Sequence, residues 1–203
     1  MTIIKDDNIR DLVKKYINSK NLLPPDLLNI NDWDVSRVTD MSELFMNYSN
    51  FNEPLNKWTI TRVDSMAQMF MGCTIFNQPL NDWNVSDVDD MGGMFAGCAN
   101  FNQPLDNWIV SNVGNMSGMF KNCTQFNQSL NNWTITRVDF MTQMFYGCTH
   151  FNKPLDNWNV SDVGDMNEMF YGCTDFNQPL NNWIVRNVGD MEKMFKGCTL
   201  YKV

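Results

Sequence analysis

Six cysteines stand at positions 73, 98, 123, 148, 173 and 198, evenly spaced along the chain. Thiols can hold metals, form disulfides or act as nucleophiles, and their spacing separates these uses. No Cys-x-x-Cys pair occurs and His150 is the only histidine, so a zinc site and a His-dependent triad both lack members. An even count invites disulfides, but equivalent side chains in a regular stack point the same way. Buried free thiols in a reducing compartment are therefore expected. Carboxylates are the second candidate chemistry. Asp87-Val-Asp-Asp90 and Asp162-Val-Gly-Asp165 could suggest calcium, yet the Gly-Gly-x-Gly-x-Asp signature of calcium-binding β-rolls is missing. The chain has no phosphate loop and no nucleophile elbow. These observations point to a non-enzyme with no cofactor and no metal.

The cysteine spacing is the spacing of the whole chain. Trp33, Trp58, Trp83, Trp108, Trp133, Trp158 and Trp183 follow the same period. A short unit repeated without a break predicts a repeat solenoid of α/β, leucine-rich-repeat-like type with seven 25-residue coils. The Trp-x-Val alternation predicts a short strand in each coil, paired in parallel with its neighbours. Met-x-x-Met at i, i+3 then predicts a short helical turn. Asp40, Ser65, Asp90, Asn115, Asp165 and Asp190 precede the first Met and suit a helix N-cap. Asn47, Gly72, Gly97, Asn122, Gly147, Gly172 and Gly197 suit its left-handed end. Asn52 and its equivalents form a column able to satisfy buried backbone groups. Ile9, Leu12, Val13, Tyr16 and Ile17 form an apolar stripe on a helix from about Asp7 to Asn18, with Asp6 or Asp7 as its cap. Residues 1–29 thus read as an N-terminal helical cap and linker, and residues 30–203 as the seven-coil stack.

Written out, the unit is Trp-x-Val-Ser-x-Val-x-x-Met-x-x-Met-Phe-x-x-Cys-x-x-Phe-Asn-x-Pro-Leu. It resembles the BspA-type 25-residue repeat family, from about Ile30 to the C-terminus. That family is a mycoplasma-lipoprotein-associated repeat of unknown function, also found in bacterial surface proteins and large DNA viruses of protists. The resemblance implies a non-enzymatic protein-interaction scaffold, or a structural component of a larger assembly such as a virus particle. It carries over no catalytic residue. A surface adhesin and a self-associating spacer that stacks through its ends are the alternatives. The sequence shows no signal peptide and no apolar run long enough to span a membrane. An intracellular, cytoplasmic or virion location is expected, without membrane insertion.

The formal net charge is −8, which disfavours nucleic-acid binding because phosphate contacts need a basic face. A protein partner is expected instead. Outward positions after each Trp include Ile109 and Ile184, and Arg62 and Arg137 lie further along the same face. Phe140 takes the slot where six other units place Asp, Ser or Asn, and Tyr146 and Tyr171 occupy nearby outward positions. Exposed aromatics can mark an interface; alternatively Phe140 lies on Tyr146 and covers a local gap. Much of this surface also repeats at every third unit, as where Thr59-Ile-Thr-Arg-Val-Asp64 recurs from Thr134 to Asp139. Such variation can record duplication of a three-unit block. At the C-terminus, Leu200 and Tyr201 either fold over the last unit or contact something else, with a second copy as one option.

Overall fold

The computed structural model describes residues 2–201. Helix α1 spans Asp6–Asn18 and buries Ile9, Leu12, Val13 and Tyr16. Three short 3-10 turns follow, at Lys20–Leu22, Pro25–Leu27 and Ile30–Asp32. From there the repeat units lie on one another in chain order. Trp side chains of successive units stack with centroids 6.4 Å apart. Two Phe columns run alongside, one starting at Phe45 and one at Phe51, and within a unit the two rings stack at about 4.1 Å. The core is thus a set of aromatic, Met, Val and Leu columns along the stack, and it is sealed in the middle units.

The local structure differs from the sequence expectation in two ways. Among the described residues there is no strand at Trp-x-Val and no α-helix after α1. Trp33 and Val35 are buried and Asp34 is exposed, as alternation requires. The backbone turns straight away, however, with the Val38 N–H donating to the Val35 carbonyl at 2.9 Å. The isolated parallel bridges fall later, on the column Asp40, Ser65, Asp90, Asn115, Phe140, Asp165 and Asp190.

The Met-x-x-Met segment is a run of overlapping turns. Leu44, Met46 and Tyr48 donate their N–H groups three residues back, to Met41, Glu43 and Phe45. The intervening N–H groups of Met41, Glu43, Phe45 and Asn47 leave the unit and donate to Ser65, Ala67, Met69 and Met71 of the next. A helix would keep all these bonds internal. Positive φ at Glu43 (59°) and Asn47 (64°) breaks the helix and supplies the third residue of the first and last of these turns. The same four cross-unit bonds recur at all six unit interfaces. The Asn47-to-Gly197 column has positive φ throughout, as expected. At Gly72 a Cβ would also meet the Asn47 side chain at 2.7 Å.

The slot before the first Met does accept backbone N–H groups, but in side-chain turns and not at a helix end. Asp40, Asp90, Asn115, Asp165 and Asp190 each accept the N–H two residues on, at 2.7–3.0 Å. In the Phe140 unit the Thr142 N–H has no such partner among the described residues.

The leading end is closed by α1, though neither Asp6 nor Asp7 caps the helix. Lys5 occupies the N-cap position, and the Asn8 side chain accepts its N–H at 3.0 Å. Asp6 instead points at the first unit, where its carboxylate accepts the Thr39 and Asp40 N–H groups at 2.8 and 3.1 Å. Tyr16 lies edge-on to Trp33 at 5.8 Å and terminates the Trp column.

Candidate interaction surface

Most polar chemistry in the units is used internally. Each Trp indole from Trp83 onward donates to the carbonyl of the Leu 28 residues earlier, at 2.9–3.2 Å. Each cysteine thiol donates to the carbonyl of a Phe 28 residues earlier, at 2.8–3.0 Å. All six cysteines are free, and burial pushes the Cys73 thiol up to about 12 and that of Cys198 up to about 11. A thiol held that far above neutrality is a poor nucleophile. The Asn side chains form a spine in which each Oδ1 accepts the backbone N–H of the next Asn, as from Asn77 to Asn52 at 2.9 Å. Among the described residues no group of three or more His, Cys, Asp or Glu side chains lies close enough to hold a metal ion. His150 faces Asp175 at 3.2 Å, with both exposed.

The outward side chains form shorter columns. Tyr146 and Tyr171 stack face to face at 4.8 Å and 6°. Lys121 lies over Tyr146 at 5.1 Å and Lys196 over Tyr171 at 5.6 Å. The result is a cation–tyrosine–tyrosine–cation column over four successive units. Beside it, Lys121 donates to Gln143 at 2.7 Å, and Gln143 donates to Glu168 at 2.6 Å. The flanking lysines were visible in the sequence only as members of the same column, one unit to either side of the tyrosines.

Phe140 is half exposed, and the ring that Tyr146 stacks on is Tyr171. It lines a separate notch with Asp89, Asp90, Gly114, Asn115, Arg137 and Asp139. Gly114 lines the notch without a side chain, and a Cβ there would lie 3.4 Å from the Asp89 carboxylate. The structure therefore joins Phe140 to Arg137 and parts it from the tyrosines. Arg62 is exposed three units before Arg137. Ile109 and Ile184 are exposed as single side chains three units apart, with Thr134 and Asn159 between them. A further cleft of about 470 Å³ lies between α1 and the first unit, walled by Tyr16, Ile17, Lys20, Tyr48, Phe51 and Glu53.

At the trailing end, Tyr201 takes the Phe slot of the last unit and stacks on Phe195 at 4.2 Å. Leu200 is exposed. Trp183, Val185, Val188 and Phe195 are only partly buried, unlike their equivalents in the middle units. Among the described residues no helix is long and apolar enough to cross a membrane.

A profile of the family described as "Mycoplasma protein of unknown function, DUF285" matches residues 13–133 and again residues 97–203. No curated protein matches the chain. The two matches overlap, as a repeat allows when one profile fits the chain in two registers. Together they cover the stacked units and the last turns of α1, and the chain belongs to this repeat-bearing family of unknown function.

Proposed function

We propose that the chain is a leucine-rich-repeat-like solenoid acting as a non-enzymatic protein-interaction scaffold. A structural component of a larger assembly, such as a virus particle, is the same role in a fixed setting. The observation that carries the reading is the Lys121–Tyr146–Tyr171–Lys196 column. Its four side chains are held in register by the unit interfaces beneath them, so a partner would meet them with little ordering cost. Tyrosine is also among the types that carry most energy in protein interfaces. The Phe140 notch supports the reading on an adjacent part of the surface.

The test is affinity capture from lysate of the source cells, with the native chain beside a Tyr146→Ser/Tyr171→Ser variant. A partner held by the first and lost by the second is the expected result. A partner set unchanged by the substitution would overturn the choice of this face.

A further inference from the structure

Among the described residues Phe140 is the one exposed phenylalanine. Duplication of a three-unit block does not put it there. Thr59–Phe70 recurs as Thr134–Phe145 with two changes, where Ser65 becomes Phe140 and Ala67 becomes Thr142. The Ser65 hydroxyl accepts the Ala67 N–H at 3.4 Å, and Phe140 gives up that bond. The ring that replaces it stays half exposed, so the local bond is lost without a matching gain in the core. A local rule broken in this way points to a use outside the fold.

The surroundings of the ring indicate the use. Tyr16, Tyr146 and Tyr171 each carry a lysine of this chain over the ring, at 4.3, 5.1 and 5.6 Å. Among the described residues no cation lies over Phe140. Beside it Asp89, Gly114 and Asp139 follow one another up the stack. The Gly114 N–H donates to the Asp89 carbonyl at 2.8 Å and the Asp139 N–H to the Gly114 carbonyl at 2.9 Å. Among the described residues neither carboxylate forms an ion pair. Arg137 borders the notch, yet it pairs with neither of them and does not cover the ring. An anion entering here would meet Arg137 and three carboxylates, those of Asp89, Asp90 and Asp139.

We infer that the notch takes an arginine side chain of a partner protein, its guanidinium flat on the Phe140 ring and between the Asp89 and Asp139 carboxylates. A guanidinium suits both surfaces, because its planar face stacks on an aromatic ring while its edge donates to carboxylates. A lysine ammonium is a compact, strongly hydrated charge and matches the flat ring less well. The inference rests on the scaffold reading for the partner being a protein, and adds the side chain that the partner presents.

The test is an NMR titration of the isotope-labelled full chain with N-acetyl-arginine amide. The controls are N-acetyl-lysine amide and N-acetyl-citrulline amide, the second having the shape of arginine without its charge. Saturable shifts at Gly114, Asp139 and Phe140 are expected with arginine, and binding weaker by about fivefold with either control. Phe140→Asn restores the acceptor for the Thr142 N–H, so it should stay folded while binding falls about threefold or more. Asp89→Asn/Asp139→Asn should weaken binding by about fivefold. Citrulline binding as tightly as arginine would overturn the inference, and lysine binding as tightly would overturn the assignment to a guanidinium. Shifts spread over Asp87 and Asp162 without saturation at the notch would reduce the effect to the net charge and overturn it too. So would native binding by a folded Phe140→Asn chain. Tyr146→Ser/Tyr171→Ser should bind the arginine probe as the native chain does, and a loss there would move the site to the tyrosine column. Partner capture through the tyrosines is a separate readout, so the scaffold reading and the notch can fail independently.

Discussion

The Asp6 carboxylate holds the Thr39 N–H at 2.8 Å, as the Thr39 carbonyl holds the Asp64 N–H at 2.9 Å one unit later. A side chain from the cap thus replaces the carbonyl of a unit that is not there. Partial burial and the neighbouring Asp40 charge push the Asp6 carboxyl up. The bonds from Thr39 and Asp40 outweigh them, and the pKa lies below the ordinary value. A pKa depressed by folding gives stability that is present above the unfolded value and lost as pH falls through the folded one. Asp6→Ala should cost on the order of 1 kcal/mol at pH 7. In thermal unfolding, its difference from the native chain should begin to shrink below about pH 4 and vanish only once the pH has fallen through the depressed folded pKa. A difference that persists in acid would mean the lost stability came from packing.

Phe140 leaves the Thr142 N–H without the side-chain acceptor that its equivalents have in other units. Phe140→Asn should supply it and raise stability by about 0.5–1 kcal/mol. Phe140→Asp should gain less, because Asp139 and Asp165 lie beside it. Denaturant unfolding of the three chains gives the order. A loss of stability in both variants would show that Phe140 packs locally.

The thiols differ by position in the stack. Cys123 and Cys148 are fully buried, and burial drives their pKa values far above the usual thiol range, while Cys198 at the last unit is only partly buried. A thiol reagent at pH 8 should modify Cys198 first and leave the middle cysteines intact until the chain unfolds. Mass spectrometry of the partly labelled chain reads this directly. Early labelling at Cys123 would contradict the sealed column.

Indole bonds should matter most where burial is complete. Trp108→Phe removes the indole bond to the Leu80 carbonyl at 2.9 Å in the core, and that carbonyl keeps the Trp83 N–H at 3.0 Å. It should cost about 0.5–1.5 kcal/mol from that bond alone. Trp183→Phe should cost less, since Trp183 is partly exposed. Equal losses at the two sites would mean that the stack unfolds without regard to position.

The Lys121–Tyr146 pair should couple weakly. A double-mutant cycle with Lys121→Met and Tyr146→Leu should return about 0.5–1 kcal/mol, the range for an exposed cation–π contact. Zero coupling would mean that the column is held only by the backbone beneath it.

The core columns were legible because burial depends on side-chain type and period. Trp33, Val35, Val38, Met41 and Phe45 are each buried, and each stands for a column that recurs once per unit, with Ile sharing the Val35 column. The turn run was not legible. Met-x-x-Met with a polar residue ahead and Gly or Asn behind fits a helix as well as it fits overlapping turns. An Asp that accepts a nearby N–H serves both. The deciding residue is Glu43 with its column, Gln68, Gly93, Gly118, Gln143, Glu168 and Lys193, all at positive φ. Only the two glycines are of a type that favours that conformation, and the cross-unit bonds that stabilise it cannot be read from one unit. The surface was legible by column but not by neighbourhood. Tyr146 and Tyr171 are one unit apart and do meet, whereas Phe140, close to Tyr146 in sequence, opens into a different notch.

The six interfaces repeat the same bonds, and nothing in them counts. A unit cut out between two interfaces would leave its neighbours in register to close on each other, and a unit inserted there would be met by the same donors and carbonyls. Geometry fixes the pitch of this protein and leaves its length to the gene. Extent can therefore drift between relatives by whole units while every surviving contact stays as it is.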